Sequence, residues 1–147
     1  QGDNYLGGLD FDHSMVMTIL LPKLIAETQN TDLAEELNKH NGKYEKLYYI
    51  LLLKAEDAKK ELSNNISTEV ELSYDFEGNG QEKEYYIPVT RDELNACIKT
   101  QIDATVEMIE AVVLRNQLSF AELKQIILSG GSTDIPYVRE SVAARTW

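Results

Sequence analysis

From Glu69 to Phe76 the chain alternates one residue at a time: Val70, Leu72, Tyr74 and Phe76 interleave with Glu69, Glu71, Ser73 and Asp75. A period of two places every second side chain on one face, which predicts a half-buried strand. Glu77-Gly78-Asn79-Gly80 reads as a turn, and Tyr85, Ile87 and Val89 resume the alternation as the returning strand of a hairpin. On both sides of the hairpin the period becomes helical. Leu47, Leu51, Ala55, Ala58 and Leu62 recur at three- and four-residue intervals and predict one long helix from Lys43 to about Asn64. After the hairpin, Thr90-Arg91-Asp92-Glu93 has the form of a capping box. It opens a second helix through Leu94, Ile98, Ile102, Thr105, Met108, Ile109 and Val112.

The flanks are less regular. Asn4-Tyr5-Leu6 reads as the end of a strand and Gly7-Gly8 as a turn, while Met15, Met17, Ile19, Leu20, Leu24 and Ile25 follow at mixed helical spacing. Polar residues from Glu27 to Asp32 break that pattern, Leu33 to Leu37 suit a short helix, and Asn41-Gly42 is a second breaker. Ser119-Phe120-Ala121-Glu122 repeats the capping device for a short helical turn. Beyond it lie an apolar strand, Ile126-Ile127-Leu128, the tetrad Gly130-Gly131-Ser132-Thr133, and a helix-like segment from Tyr137 to Val142. The expected class is α+β: long helices on one face of a small antiparallel sheet, with terminal strands that pair elsewhere.

A length of 147 residues suits one domain or a large piece of one. The formal net charge of -11 repels nucleic-acid phosphates and anionic lipid, so neither is an expected partner. A small anion in a local site is compatible with it, because backbone amides act at short range. Cys97 is the single cysteine, which precludes a disulfide framework within the chain and fits a reducing compartment. Gln1-Gly2-Asp3-Asn4 has no basic region or signal-like core, so a cytoplasmic location is expected. Its apolar neighbours Leu94, Ile98 and Ile102 favour a small buried hydrophobe over a nucleophile. No apolar run approaches the roughly 20 residues of a membrane span. The chain begins almost inside structure and stops abruptly at Arg145-Thr146-Trp147, so a fragment is expected.

Three segments could carry chemistry. In Gly130-Gly131-Ser132-Thr133 the absent Cβ atoms let another molecule approach the backbone, and the following helix offers unpaired N–H groups to a phosphate or nucleoside. The alternative is a tight strand-to-helix turn capped by Ser132 or Thr133. Within "EDAKKELS", Glu56, Lys59, Lys60 and Ser63 stand at i, i+3, i+4 and i+7. Their face is centred roughly 130° from the Leu47–Leu62 stripe, so all four are expected to look away from the core. They form either a solvated face with a Glu56–Lys60 ion pair, or a polar rack whose carboxylate, ammonium and hydroxyl groups suit ribose and base. In "GDNYLGGLDFD" the glycine pair could cradle an anion, and Asp10 and Asp12 could cap the next helix. Two carboxylates are too few oxygen ligands for Ca²⁺ or Mg²⁺. His13 and His40 have no metal-ligand spacing, and no GxxxxGK phosphate loop occurs.

In this order and spacing, "GDNYLGGLDFD", "EDAKKELS" and "LSGGSTDIP" resemble the nucleotide-binding domain of the seventy-kilodalton heat-shock chaperones, the DnaK-type family. The family patterns are GDxxLGGxDFD, ExAKxxLS and a hydrophobic strand followed by GGSTRIP. "TRDELN" likewise resembles the TRxxFExL helix start, and the likeness covers essentially the whole chain. The resemblance implies an actin-like, ribonuclease H-like ATPase fold and places residues 1–147 in its second lobe. Residues 9–118 would form the outer subdomain, and residues 1–8 and 125–147 pieces of the inner one. It implies that Glu56 and Lys59 contact the ribose region, Lys60 the adenine face and Ser63 an adenine nitrogen, while Gly130, Gly131 and Ser132 line the adenosine and phosphate side.

Three positions depart from the pattern. Lys60 stands where arginine is usual, keeping charge but losing a planar stacking surface. Asp134 stands where arginine follows GGST, at the place that would grip adenine, and Leu9 replaces an acidic residue. Altered or weaker adenine recognition is therefore expected, in a divergent member. The family's phosphate loops and catalytic residues would lie N-terminal to this segment, and its peptide-binding domain C-terminal. No catalytic residue and no metal ligand is thus expected here. ATP/ADP is the implied cofactor, with Mg²⁺ and ATP hydrolysis belonging to a full-length parent. The implied partners are a nucleotide-exchange factor and, through that parent, co-chaperones and the unfolded clients of a stress-response chaperone. Two alternatives stand beside this reading: a non-catalytic module that grips an exchange factor, and another actin-like kinase or filament protein.

Overall fold

The computed structural model describes residues 8–37, 39–123, 125 and 135–146, with the backbone alone for residues 8–10, 145 and 146. The elements in chain order are α1 (Gly8–Met15), a π-helical turn (Val16–Leu20), α2 (Leu21–Thr28), α3 (Leu33–Glu36), α4 (Glu45–Leu62), β1 (Ser67–Tyr74), β2 (Lys83–Thr90), α5 (Arg91–Arg115), a 3₁₀ turn (Phe120–Glu122) and α6 (Pro136–Thr146).

The hairpin follows the alternation. Strands β1 and β2 pair antiparallel, with Val70 opposite Ile87 and Leu72 opposite Tyr85. Val70, Leu72, Ile87 and Val89 are buried, while Glu69, Glu71, Glu84 and Tyr86 face solvent. The carboxylate of Asp75 organises the turn, accepting the N–H groups of Gly78 (2.8 Å), Asn79 (3.3 Å) and Gly80 (2.8 Å). Gly78 and Gly80 adopt φ of 71° and 82°, the left-handed region that glycine enters without steric cost.

Helix α4 lies against β1 and crosses α1, and its whole predicted stripe, Leu47, Leu51, Ala55, Ala58 and Leu62, is buried. Helix α5 starts at the expected capping box: Thr90 Oγ1 accepts the Glu93 N–H at 3.1 Å, and Glu93 Oε1 accepts the Thr90 N–H at 3.1 Å. Lys23 from α2 reaches the same carboxylate at 2.8 Å and ties the two helices together. The buried side of α5 is Leu94, Ile98, Ile102, Val106 and Val113; the expected Thr105, Met108, Ile109 and Val112 sit half-buried beside it. Ser119 and Glu122 form the second capping box around the 3₁₀ turn.

The N-terminal region differs from expectation. Gly8 opens α1 instead of closing a turn, so Asp10 and Asp12 lie within that helix and do not cap a later one. Backbone from Gly8 to Thr28 is helical throughout, with a wide turn in the middle where the Leu21 N–H bonds to Val16 O. Pro22 follows at once. Proline has no N–H to donate and its ring crowds the preceding carbonyls, and a π-turn makes room for it. The wide turn also explains the mixed apolar spacing, since it lets Phe11, Met15, Val16, Ile19, Leu20 and Leu24 all face the core. The Asn4–Leu6 strand, the Ile126–Leu128 strand and the glycine tetrad lie outside the described residues.

Candidate functional site

The last two turns of α4 and its C-cap carry the polar rack, and the structure divides it. Glu56 and Lys60 are exposed enough to meet a ligand and pair with each other at 3.3 Å. Ser63, at the C-cap, donates its hydroxyl to Lys59 O at 3.1 Å, which leaves the oxygen's lone pairs able to accept. Lys59 does not look away from the core. Its side chain is only 8% exposed and its Nζ lies 3.0 Å from Oδ1 of Asp12 in α1, a carboxylate equally covered. Among the described residues Asp12 Oδ1 has no partner besides this ammonium.

The correction has a simple geometric cause. The rack is centred roughly 130° from the core stripe, but at about 100° per residue Lys59 alone sits only about 80° from the stripe's centre, against about 180° for Lys60. That is the flank of α4, where α1 crosses. Burial pushes the Asp12 carboxyl above the ordinary aspartate range, while the ammonium of Lys59 opposes the shift; Glu56 and Lys60 act on it more weakly from the exposed side. Asp12, Glu56, Lys59 and Lys60 are thus one electrostatic cluster. Asp12 was legible only as an acidic residue of "LDFD"; its partner stands 47 positions away, and nothing local in the sequence joins them.

Gly130, Gly131, Ser132 and Asp134 lie outside the described residues. Immediately after them Ile135 is fully buried and α6 packs on α5. Cys97 is half-buried, accepts the Thr18 hydroxyl at 3.1 Å, and has its thiol pKa raised by burial, the surroundings of an inert thiol. His13 Nδ1 lies 2.6 Å from the Tyr48 hydroxyl across the α1–α4 contact, and His40 is exposed near Glu45. Among the described residues no group of His, Cys, Asp or Glu is arranged to hold a metal ion. None of their helices is long and apolar enough to cross a membrane.

A family profile described as "Hsp70 protein" matches residues 1–146. The chain belongs to the Hsp70 family. Among curated relatives, the "Mitochondrial-type heat shock protein 70" of Encephalitozoon hellem is 29% identical over 143 residues, covering 96% of this chain and 22% of that protein. The chain therefore spans about a fifth of the length of that relative. Hsp70 proteins are ATP-dependent chaperones of actin-like fold, and the α4–hairpin–α5 unit described here is an α+β arrangement consistent with part of such a fold. The nucleotide such a protein handles is a fair test of the α4 face. An exposed carboxylate suits ribose hydroxyls, an exposed ammonium suits the π-face of a base, and a hydroxyl with accepting lone pairs suits an exocyclic amine. These groups are of the kinds that can meet a ribose and a base.

Proposed function

We propose that this Hsp70 chain is the second lobe of the nucleotide-binding domain, with residues 9–118 as outer subdomain and residues 1–8 and 125–147 as pieces of the inner one. Its role is to supply one wall for the adenosine of ATP or ADP, between the Glu56–Ser63 face of α4 and the Gly130-Gly131-Ser132 turn. The observation that carries the reading is the exposed Glu56–Lys60 pair with Ser63 one turn on, at the end of α4, in a chain of this family. Bound nucleotide supplies a link between two lobes, and closure around it is the signal such a chaperone sends to its peptide-binding part. Glu56 would hold ribose hydroxyls, Lys60 would lie over the adenine face, and Ser63 would accept from the base. Phosphoryl transfer needs metal, positioned water and phosphate clamps on both sides. Those parts are expected outside this chain, so the chain alone is proposed to bind without hydrolysing. An exchange factor, co-chaperones and unfolded clients are the partners proposed for the whole protein.

The test is calorimetric titration of ADP into the full chain and into Glu56→Gln and Ser63→Ala. Each substitution is expected to weaken binding by about tenfold, the value of one charge-assisted or well-placed hydrogen bond. Equal affinity in all three would remove the α4 face from the site. A second reading, a partner-binding module that has outlived its nucleotide grip, is favoured by the burial of Lys59 against Asp12. Absence of any adenine-dependent heat in the wild-type chain would select it.

A further inference from the structure

Among the described residues β1 has one strand neighbour, β2, and its other edge lies open beside the flank of α4. We propose that this edge docks an extended peptide segment with Lys or Arg at alternate positions, which joins the hairpin as a third strand.

The direction of the backbone groups follows from the register. The Arg91 N–H donates to Ile66 O at 2.9 Å, so Ile66 and Arg91 form a hydrogen-bonded pair, and such pairs alternate along the ladder from there. Thr68, Val70 and Leu72 therefore turn their N–H and C=O groups toward β2, while Ser67, Glu69, Glu71 and Ser73 turn theirs to the open edge. Strand β2 agrees with this phase. Pro88, opposite Glu69, has no N–H to give and its carbonyl accepts from Lys23, while the Thr90 N–H, opposite Ser67, serves the helix cap. None of the described residues hydrogen-bonds to the outward groups of Glu69 or Glu71. Edge strands commonly resist pairing with a lysine, a proline or a bulge. Over Ser67–Tyr74 the strand has none of these, and its register is continuous.

A groove runs between this edge and α4, lined by Lys54, Asp57 and Glu61 from the helix and Glu69 and Glu71 from the strand. Its charge is therefore that of four carboxylates against one ammonium. Among the described residues Asp57, Glu69 and Glu71 form no ion pair, and Glu61 is met only by the amide of Asn65, at 3.4 Å. Charge then selects the occupant. A second copy of β1 would set these glutamates against their own kind, and like charges across a strand pair are destabilising. A strand with cationic side chains on the Glu69–Glu71 face meets both carboxylates, and its main chain satisfies the open N–H and C=O groups.

The chain's net charge of -11 attracts any cation, so the test separates strand pairing from attraction. The probe is the acetylated and amidated peptide Lys-Thr-Lys-Thr-Lys, titrated calorimetrically into the full chain, with amide hydrogen exchange measured on the complex. Binding is expected to slow exchange at the Glu69 and Glu71 amides. In an added strand only alternate N–H groups point at β1. N-methylation of one alternate set of the peptide's amides is therefore expected to abolish binding, and of the other set to leave it nearly unchanged. The double variant Glu69→Gln with Glu71→Gln is expected to bind about tenfold more weakly, through two lost cross-strand charge pairs. Equal effects of the two methylations, unprotected Glu69 and Glu71 amides in the complex, or wild-type affinity in the double variant would each overturn the proposal in favour of diffuse attraction to an acidic surface. No binding of the unmethylated peptide overturns it outright.

Discussion

Lys59 Nζ lies 3.0 Å from Asp12 Oδ1, with each side chain only 8% exposed. The pair pins α1 to α4 at the crossing of the two helices. A buried pair adds little net stability over an apolar substitute, but breaking one half leaves an uncompensated charge. Asp12→Ala is therefore expected to cost about 3 kcal/mol in denaturant unfolding. The double variant Asp12→Asn with Lys59→Met is expected to recover most of that loss. If single and double variants are equally destabilised, the cost comes from packing and the charges are incidental.

The acid branch of the stability curve separates two carboxylates of opposite behaviour. At Glu93 burial pushes the pKa up, but the Lys23 ammonium and the Thr90 N–H together outweigh it and hold the carboxyl below its usual range. Its contribution is present above the ordinary glutamate value, about 4.3, and is lost as pH falls through the lower folded one. Asp12, with its pKa raised by burial, has the reverse sign: its contribution is fully present below the ordinary aspartate value and lost as pH rises through the raised one. Glu93→Gln is thus expected to lose stability less steeply than wild type between neutral and acid pH, and Asp12→Asn more steeply. Urea unfolding at a series of pH values measures both slopes, and parallel curves for all three proteins would contradict the assignment.

Lys60 is exposed on α4 and paired with Glu56, where its ammonium offers charge without a flat surface. Under the nucleotide reading, Lys60→Arg is expected to tighten adenosine binding by about threefold to tenfold, the gain of a planar cation over a π-face. Unchanged affinity would mean that this position does not meet the base.

Much of the fold was legible because its signals are local. The strict alternation around Val70 and Ile87 yields the hairpin and its inward face, and Thr90 with Glu93 marks the start of α5 to the residue. The stripe from Leu47 to Leu62 yields α4 with two residues of error at each end. What stayed hidden depends on contacts between distant segments or on a rare backbone form. The π-turn before Pro22 blurred a continuous helix into mixed spacing. Likewise the rack at Glu56–Ser63 read as one solvated face, because helix geometry gives an angle to the core but does not say that α1 crosses above Lys59. The families of short motifs were more informative than any one of them, since each alone suits an ordinary turn or an ordinary charged helix.

The central claim is that the end of α4 is a wall for adenosine. The most direct measurement is chemical-shift perturbation of the full chain by adenosine and by ADP, repeated on Glu56→Gln. The account predicts shifts clustered at Glu56–Ser63 and Gly130–Ser132, weakened by Glu56→Gln, with the hairpin from Ser67 to Thr90 silent. Shifts confined to other surfaces, or a response that Glu56→Gln leaves intact, would contradict it.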